Sequence, residues 1–243
     1  MTTTNVQNSI PYAVYEADAT FPDAVTGALI SQIGHRAIYG VSTSGNTQFA
    51  IVRTGDYVDF GFGGFVYQRD NDVTLPSSGQ AAYTGQVAGI RDRLGGGGID
   101  FTTADMDIAI DFDDFNATTE TRGDAVRGLV YNRRILDIDG NDITATVLNR
   151  VGDNLDVTLN NVPDLVFEVS PGVLDNNGEI VGNLNSTYVD ASGQAQTFES
   201  GNYYAVLSGE GQDQEIVGVF VVESTNDPIA STTRETSGFI LYR

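Results

Sequence analysis

From residue 81 onward the chain repeats one unit, a short run of alternating apolar and polar residues followed by a turn. Met106, Ile108, Ile110 and Phe112 alternate with Asp105, Asp107, Ala109 and Asp111. Period two is the mark of a strand with one face buried. Further runs of strand character cover 81–90, 125–133, 143–149, 164–169, 179–188, 202–208, 215–223 and 237–242. Turn residues separate them at Gly95–Gly98, Asp139–Gly140, Gly152–Asp153, Asn177–Gly178 and Gly209–Gly211,. Such a series of antiparallel strands, with no helix between them, predicts a closed barrel or a sandwich.

The same alternation says which side is wet. Asp105, Asp107, Asp111 and Asp113 load one face of a single strand. Facing lipid, each charge would cost on the order of 2–4 kcal/mol at mid-bilayer; inside a narrow eight-stranded lumen the carboxylates would crowd one another. A soluble barrel with an apolar interior fits better. No run approaches the roughly 18 apolar residues of a membrane-spanning helix.

Residues 1–78 read differently. Residues 22–34 have the spacing of one short amphipathic helix, with Val25, Leu29, Ile30 and Ile33 on one face, Pro22 in the first turn and Gly34 as the cap,. Strand-like runs follow at 47–53, 57–60 and 64–69, and residues 75–79 read as a connector,.

The missing residue types narrow the chemistry. The chain has no Cys, no Trp, one His and no Lys, since all 12 basic residues are Arg. Thiol nucleophiles, disulfides, thiolate metal sites and Schiff-base chemistry are therefore excluded. A serine triad would have to use His35, without a nucleophile-elbow motif beside it. The 33 acidic residues nominate no particular carboxylate pair for glycoside hydrolysis,. A formal net charge of −21 disfavours nucleic-acid and anionic-membrane partners,. These absences predict a protein that is not an enzyme.

Several segments, in order, carry a family resemblance. Tyr83 to Gly89 resembles an opening Tyr-x-Gly strand, Met106 to Phe115 a second strand, and Val126 to Arg133 a glycine-containing third. Gly201 to Tyr204, Glu215 to Phe220 and Glu235 to Arg243 resemble the aromatic, Glu-x-x-Gly-x-Phe and closing strands. The series resembles the C-terminal barrel of the transferrin-binding-protein-like lipoproteins of Gram-negative bacteria. Ala205 to Gly209 departs from the Gly-Pro usual after the aromatic strand.

The resemblance implies a mostly β protein: an eight-stranded antiparallel up-and-down soluble β-barrel over 79–243, preceded by a small handle-like α+β domain over 1–78. It also implies export, with the protein outer-membrane-anchored, periplasmic or secreted, and contact with the membrane only through a lipid on an N-terminal Cys absent from this chain. The function it implies is capture of a small nutrient, such as haem or a metal chelate, or docking of a protein partner. A structural or adhesive surface protein stiffened by calcium is the alternative, and haem and calcium are the candidate cofactors.

The candidate ligand-binding residues are His35, Tyr57, Phe60, Phe62, Phe65 and Tyr67. His35 is the one imidazole available as an axial haem ligand, and equally a helix-capping side chain. The glycine-spaced aromatics at 57–67 offer either a docking surface or the packing of the small domain onto the barrel. Asp137, Asp139 and Asn141 resemble the start of a calcium loop, but Leu148 stands where the closing bidentate Glu belongs, and an Asp-Gly hairpin turn is the competing reading,. The Arg122–Asp124 tripeptide and the glycine run 95–98 carry no function.

Overall fold

The computed structural model describes residues 9–243 apart from 19–20, 23, 28, 31–33, 56–59, 114, 117, 119–120, 123–124 and 171. The N-terminal part forms strands β1 (Ala13–Asp18), β2 (Phe21–Pro22), β3 (Leu29–Ile30), β4 (Gly34–Val41), β5 (Thr47–Thr54) and β6 (Gly63–Arg69). Strands β1, β4, β5 and β6 make a four-stranded sheet in the order β1-β4-β5-β6. Long strands follow: β7 (Gln80–Leu94), β8 (Ile99–Asp111), β11 (Val126–Leu136), β13 (Glu179–Val189), β14 (Ala195–Ser208), β15 (Glu215–Ser224) and β16 (Thr232–Tyr242). A short β12 (Leu165–Phe167) completes the set, and β9 (Phe115–Asn116) with β10 (Thr121–Arg122) forms a small hairpin between β8 and β11.

Strands β7, β8 and β11 to β16 close into one eight-stranded antiparallel barrel, each pairing with the next and β16 returning to β7. The alternation at 105–112 works as the sequence predicts. Met106, Ile108 and Ile110 are buried with Tyr83, Phe220 and Phe239 in the barrel core, while the aspartates face outward.

The sheet packs on the outside of the barrel. Val14, Ile38, Phe49 and Ile51 from the sheet share a second core with Ala88, Ile90, Phe101, Val217, Val219 and Ile240, the outward residues of their barrel strands. The approach is close: a Cβ at Gly238 would lie 2.3 Å from the Phe49 ring, and one at Gly40 would lie 2.4 Å from it. Glycine at both positions makes the space that Phe49 fills.

Polar ties fix the orientation. Glu215 Oε1 accepts the hydroxyls of Ser42, Ser44 and Thr47, each at 2.9 Å. Tyr12 donates to Gln86 O at 2.7 Å and accepts the amide of Ile240 at 3.0 Å.

Two expectations are corrected. The described residues of 22–34 do not form the expected helix: β2 and β3 pair there through a turn, Gly27 has φ 68°, and Val25 is 93% exposed, while Ile33 lies outside the described residues. A left-handed glycine in the middle of the segment interrupts a right-handed helix. Conversely, residues 143–149, expected as a strand, begin the helix α1 (Thr144–Leu155). Its buried Val147, Leu148 and Val151 follow helical spacing, and Asp142 Oδ1 accepts the Thr144 amide at 2.9 Å, satisfying a donor at its first turn,.

Candidate functional site

The barrel lumen is a filled core. Its apolar part is closed by side chains such as Phe167 stacked on Tyr203, with ring centroids 3.9 Å apart. Toward the α1 end the lining turns polar, and charge pairs with charge. Arg133 donates to Glu199 and, at 3.0 Å, to Glu235. Arg93 donates to Asp100, Arg91 lies 3.8 Å from Asp100, and Arg150 pairs with Asp227 at 2.7 Å. Four guanidinium groups thus meet four carboxylates.

Removing Arg133 alone would strand two buried carboxylates, at about 3–5 kcal/mol. The two carboxylates and their burial in turn set its proton affinity. Burial disfavours the charge, but Glu199 and Glu235 outweigh it and hold the Arg133 guanidinium above its ordinary range.

Helix α1 lies over this network and leaves a cavity of about 20 Å³, lined by Arg91, Thr102, Arg133, Leu148, Glu199 and Glu235 among others. That is room on the scale of one water molecule. Glu199 and Glu235 are the kind of carboxylate pair hydrolysis uses, yet both are tied to one arginine in a space no sugar ring enters. Haem does not fit there either.

The outer face of the four-stranded sheet has a different character. Antiparallel register lines up Ala13, Tyr39, Ala50 and Val66 in one row across the sheet, and Tyr15, Ala37, Val52 and Gly64 in the next. At one end the alternation continues through Ala17, His35, Thr54 and Phe62; at the other lie Val41, Gln48 and Gln68. No Asp, Glu or Arg stands in these rows, in a chain of net charge −21. Val66 is 65% exposed, Phe62 79% and Val41 50%. Thr54 in the same rows is buried, so the open part of the face is the patch of Tyr39, Val41, Val52, Phe62 and Val66, which monomeric proteins rarely leave exposed,.

The sequence-predicted residues divide between the two sides of this sheet. His35 and Phe62 fall on the outer face, where His35 is half-buried opposite Ala17 and Thr54. Phe60, Phe65 and Tyr67 point to the barrel. The Arg234 guanidinium sits 4.0 Å from the centre of the Phe60 ring and pairs with Asp92 at 2.5 Å. Phe65 stacks on Tyr204 with centroids 6.2 Å apart. Tyr67 is half-buried against the same core, and its phenol is pushed up by burial and then by Glu179. Tyr57 lies outside the described residues.

Asp137, Asp139 and Asn141 do come together, as a turn. Asp137 Oδ1 accepts the amides of Asp139 and Asn141, both at 2.9 Å, and Oδ2 accepts the Asn141 side chain. The Asn141 side-chain hydrogen bond, with help from the loop amides, holds Asp137 below the usual carboxylate range. Among the described residues no group of three or more His, Asp or Glu is placed to hold a metal ion.

Sequence reasoning missed the outer-face residues Tyr15, Tyr39, Val52 and Val66. Their signal is alternation within each strand, but only cross-strand register assembles them into one surface.

Fold and face together define a class: an antiparallel β-barrel with a packed interior, carrying an uncharged sheet face on its outside. No protein-family model matches the chain, and no curated protein is similar to it in sequence. Among solved structures, a double mutant of the vaccine antigen transferrin binding protein B from Haemophilus parasuis Hp5 aligns over 94% of this chain and 36% of its own. The TM-score is 0.45 at 12% identity. A single mutant of the same antigen aligns over 93% and 41%, with TM-score 0.44 and 12% identity. The chain therefore spans less than half the length of the structures it is similar to.

Proposed function

We propose that this protein is a non-enzymatic, extracytoplasmic binding protein that docks a protein partner on the outer face of its four-stranded sheet. The observation that carries the reading is the charge-free apolar face of Tyr15, Tyr39, Val52, Phe62 and Val66 in a chain of net charge −21. Large rings on a rigid sheet are the anchors that protein interfaces use. The rest of the surface, being strongly acidic, selects a partner with positive charge around its own apolar patch. Support for an extracytoplasmic location comes from the sequence resemblance to exported lipoproteins.

A photo-cross-linking residue placed at Val66 tests this. A protein captured there is then purified, and its affinity for Val52→Asp and Val66→Asp variants is measured by calorimetry. Each substitution is expected to weaken binding by about tenfold or more, equivalent to about 1.4 kcal/mol. Val189→Asp, at an exposed site on a barrel strand, should leave affinity unchanged. Equal weakening by all three would overturn the reading. So would a haem titration giving a Soret shift that His35→Ala abolishes, because that result assigns the face to a small nutrient.

A further inference from the structure

We infer that β6 is a strand-addition site, where an extended segment of the partner pairs with the open edge of the sheet. This rests on the docking reading above and names the contact by which that partner is held. Strand β6 ends the sheet order β1-β4-β5-β6, with no neighbour on its far side among the described residues.

Hydrogen bonding shows which groups are available. Thr54 donates to Phe62 O and Asp70 donates to Asn46 O, so pairing with β5 uses Phe62, Gly64, Val66, Gln68 and Asp70. By the antiparallel alternation, the amides and carbonyls of Phe65, Tyr67 and Arg69 point away from β5.

Proteins normally blunt such an edge with a charge, a proline or a bulge. Strand β6 is not blunted in this way. Its one charge, Arg69, is turned back to donate to Leu207 O and to Asn177 O at 2.7 Å.

A receiving space adjoins it. Between β6 and the outer face of β14 and β15 lies a groove of about 480 Å³, floored by Phe65, Tyr204 and Val221 with Asn202 and Glu223 at its wall. A strand laid about 4.8 Å beyond β6 would send alternate side chains into this groove. The other side chains would extend the apolar outer face. Glu223 and the −21 net charge favour lysine or arginine on the groove side and disfavour a second copy of this acidic chain,.

The probe is a capped peptide of alternating valine and lysine, as long as β6, added to the full chain and followed by amide hydrogen exchange and calorimetry. Binding should protect the Phe65 and Tyr67 amides, and a peptide N-methylated at alternate residues should not bind. Tyr67→Pro and Tyr67→Ala both lose the ring, but only proline loses the outward N–H. The proline variant should therefore bind about tenfold more weakly than the alanine variant.

Equal binding by these two variants, or protection confined to the outer face, would overturn the inference. Loss with Val52→Asp and Val66→Asp but not with Tyr67→Pro would sink strand addition and keep face docking. The reverse pattern would keep strand addition and sink face docking. A dimer of the unliganded chain that Tyr67→Pro converts to monomer would assign the edge to a second copy and overturn the choice of a basic partner.

Discussion

Asp190 accepts the Ser192 hydroxyl at 2.6 Å, the amides of Ser192 and Gln194 at 2.9 Å each, and the Gln196 side chain at 2.8 Å. The same five-residue turn begins at Asp137 and at Asp175. In each copy the aspartate caps amides two and four residues on, and a glycine with φ near +80° holds the fourth place. Aspartate reaches these amides where the longer glutamate would not, which accounts for part of the excess of 24 Asp over 9 Glu,. Two of the turns show in the sequence as Asp-Gly and Asn-Gly. The third, Ser192–Gly193, lacks that dipeptide and is hidden.

The Ser192 hydroxyl, then the Gln194 amide and Gln196 side chain, lower the Asp190 carboxyl to about 2. Unfolded aspartate titrates at about 3.9. The contribution of this turn is therefore complete above about pH 4 and is lost as pH falls toward 2. Carbon-detected NMR of the Asp190 carboxyl should show that low midpoint, and Ser192→Ala should raise it; an ordinary midpoint would contradict the turn. Because Asp137 is already engaged by its own loop, calcium is expected to leave the melting temperature unchanged relative to magnesium at matched ionic strength. A calcium-specific rise abolished by Asp137→Asn would restore the cation reading of Asp137, Asp139 and Asn141.

At the level of elements, β11 depends on one irregular residue. Between Tyr131, opposite Asp105, and Arg134, opposite Thr103, the strand holds one residue more than β8. Asn132 takes up this bulge with φ 52° and donates to Asp105 Oδ2 at 2.8 Å. The extra residue reverses the alternation, so that Arg133 and Ile135 point into the barrel where unbroken pairing would have turned them out. Asn132→Val puts a β-branched residue in the left-handed region and should destabilise the fold by about 1–3 kcal/mol, whereas Asn132→Gly should stay within about 1 kcal/mol of the parent. Urea unfolding measures both, and equal values would contradict a strained bulge.

Neither this bulge nor α1 is visible from local pattern. Ile143, Thr144, Thr146 and Val147 are β-branched and favour a strand reading. The helical period emerges only when Val151 and Leu155 are included. Barrel strands such as β11 and β13 are readable because each has one wet and one dry face. Residues 22–34 imitated a helix in spacing alone, against a left-handed Gly27.

Across the whole molecule, the outward faces of β7, β8, β15 and β16 split in two. Where water meets them they carry polar side chains; beneath the sheet they carry Ala88, Ile90, Phe101, Val217, Val219 and Ile240. A barrel without the sheet would expose that second core, and a sheet without the barrel would leave Val14, Ile38, Phe49 and Ile51 in water, at about 1.5–3 kcal/mol for each large side chain. The buried Arg53 joins them further, donating to Thr236 Oγ1 at 2.6 Å. Sequence patterning separates residues 1–78 from 79–243, yet the shared core argues that the two lose structure together. Calorimetry should therefore show one transition whose van't Hoff and calorimetric enthalpies agree, and two resolved transitions would overturn that coupling. Gly238→Ala probes the same seam, since its methyl would meet the Phe49 ring at 2.3 Å. Overpacking of this kind costs about 1–3 kcal/mol and should lower Tm by several degrees. The single transition should shift as a whole, because a sheet that detached first would split it and leave the barrel melting where it did before.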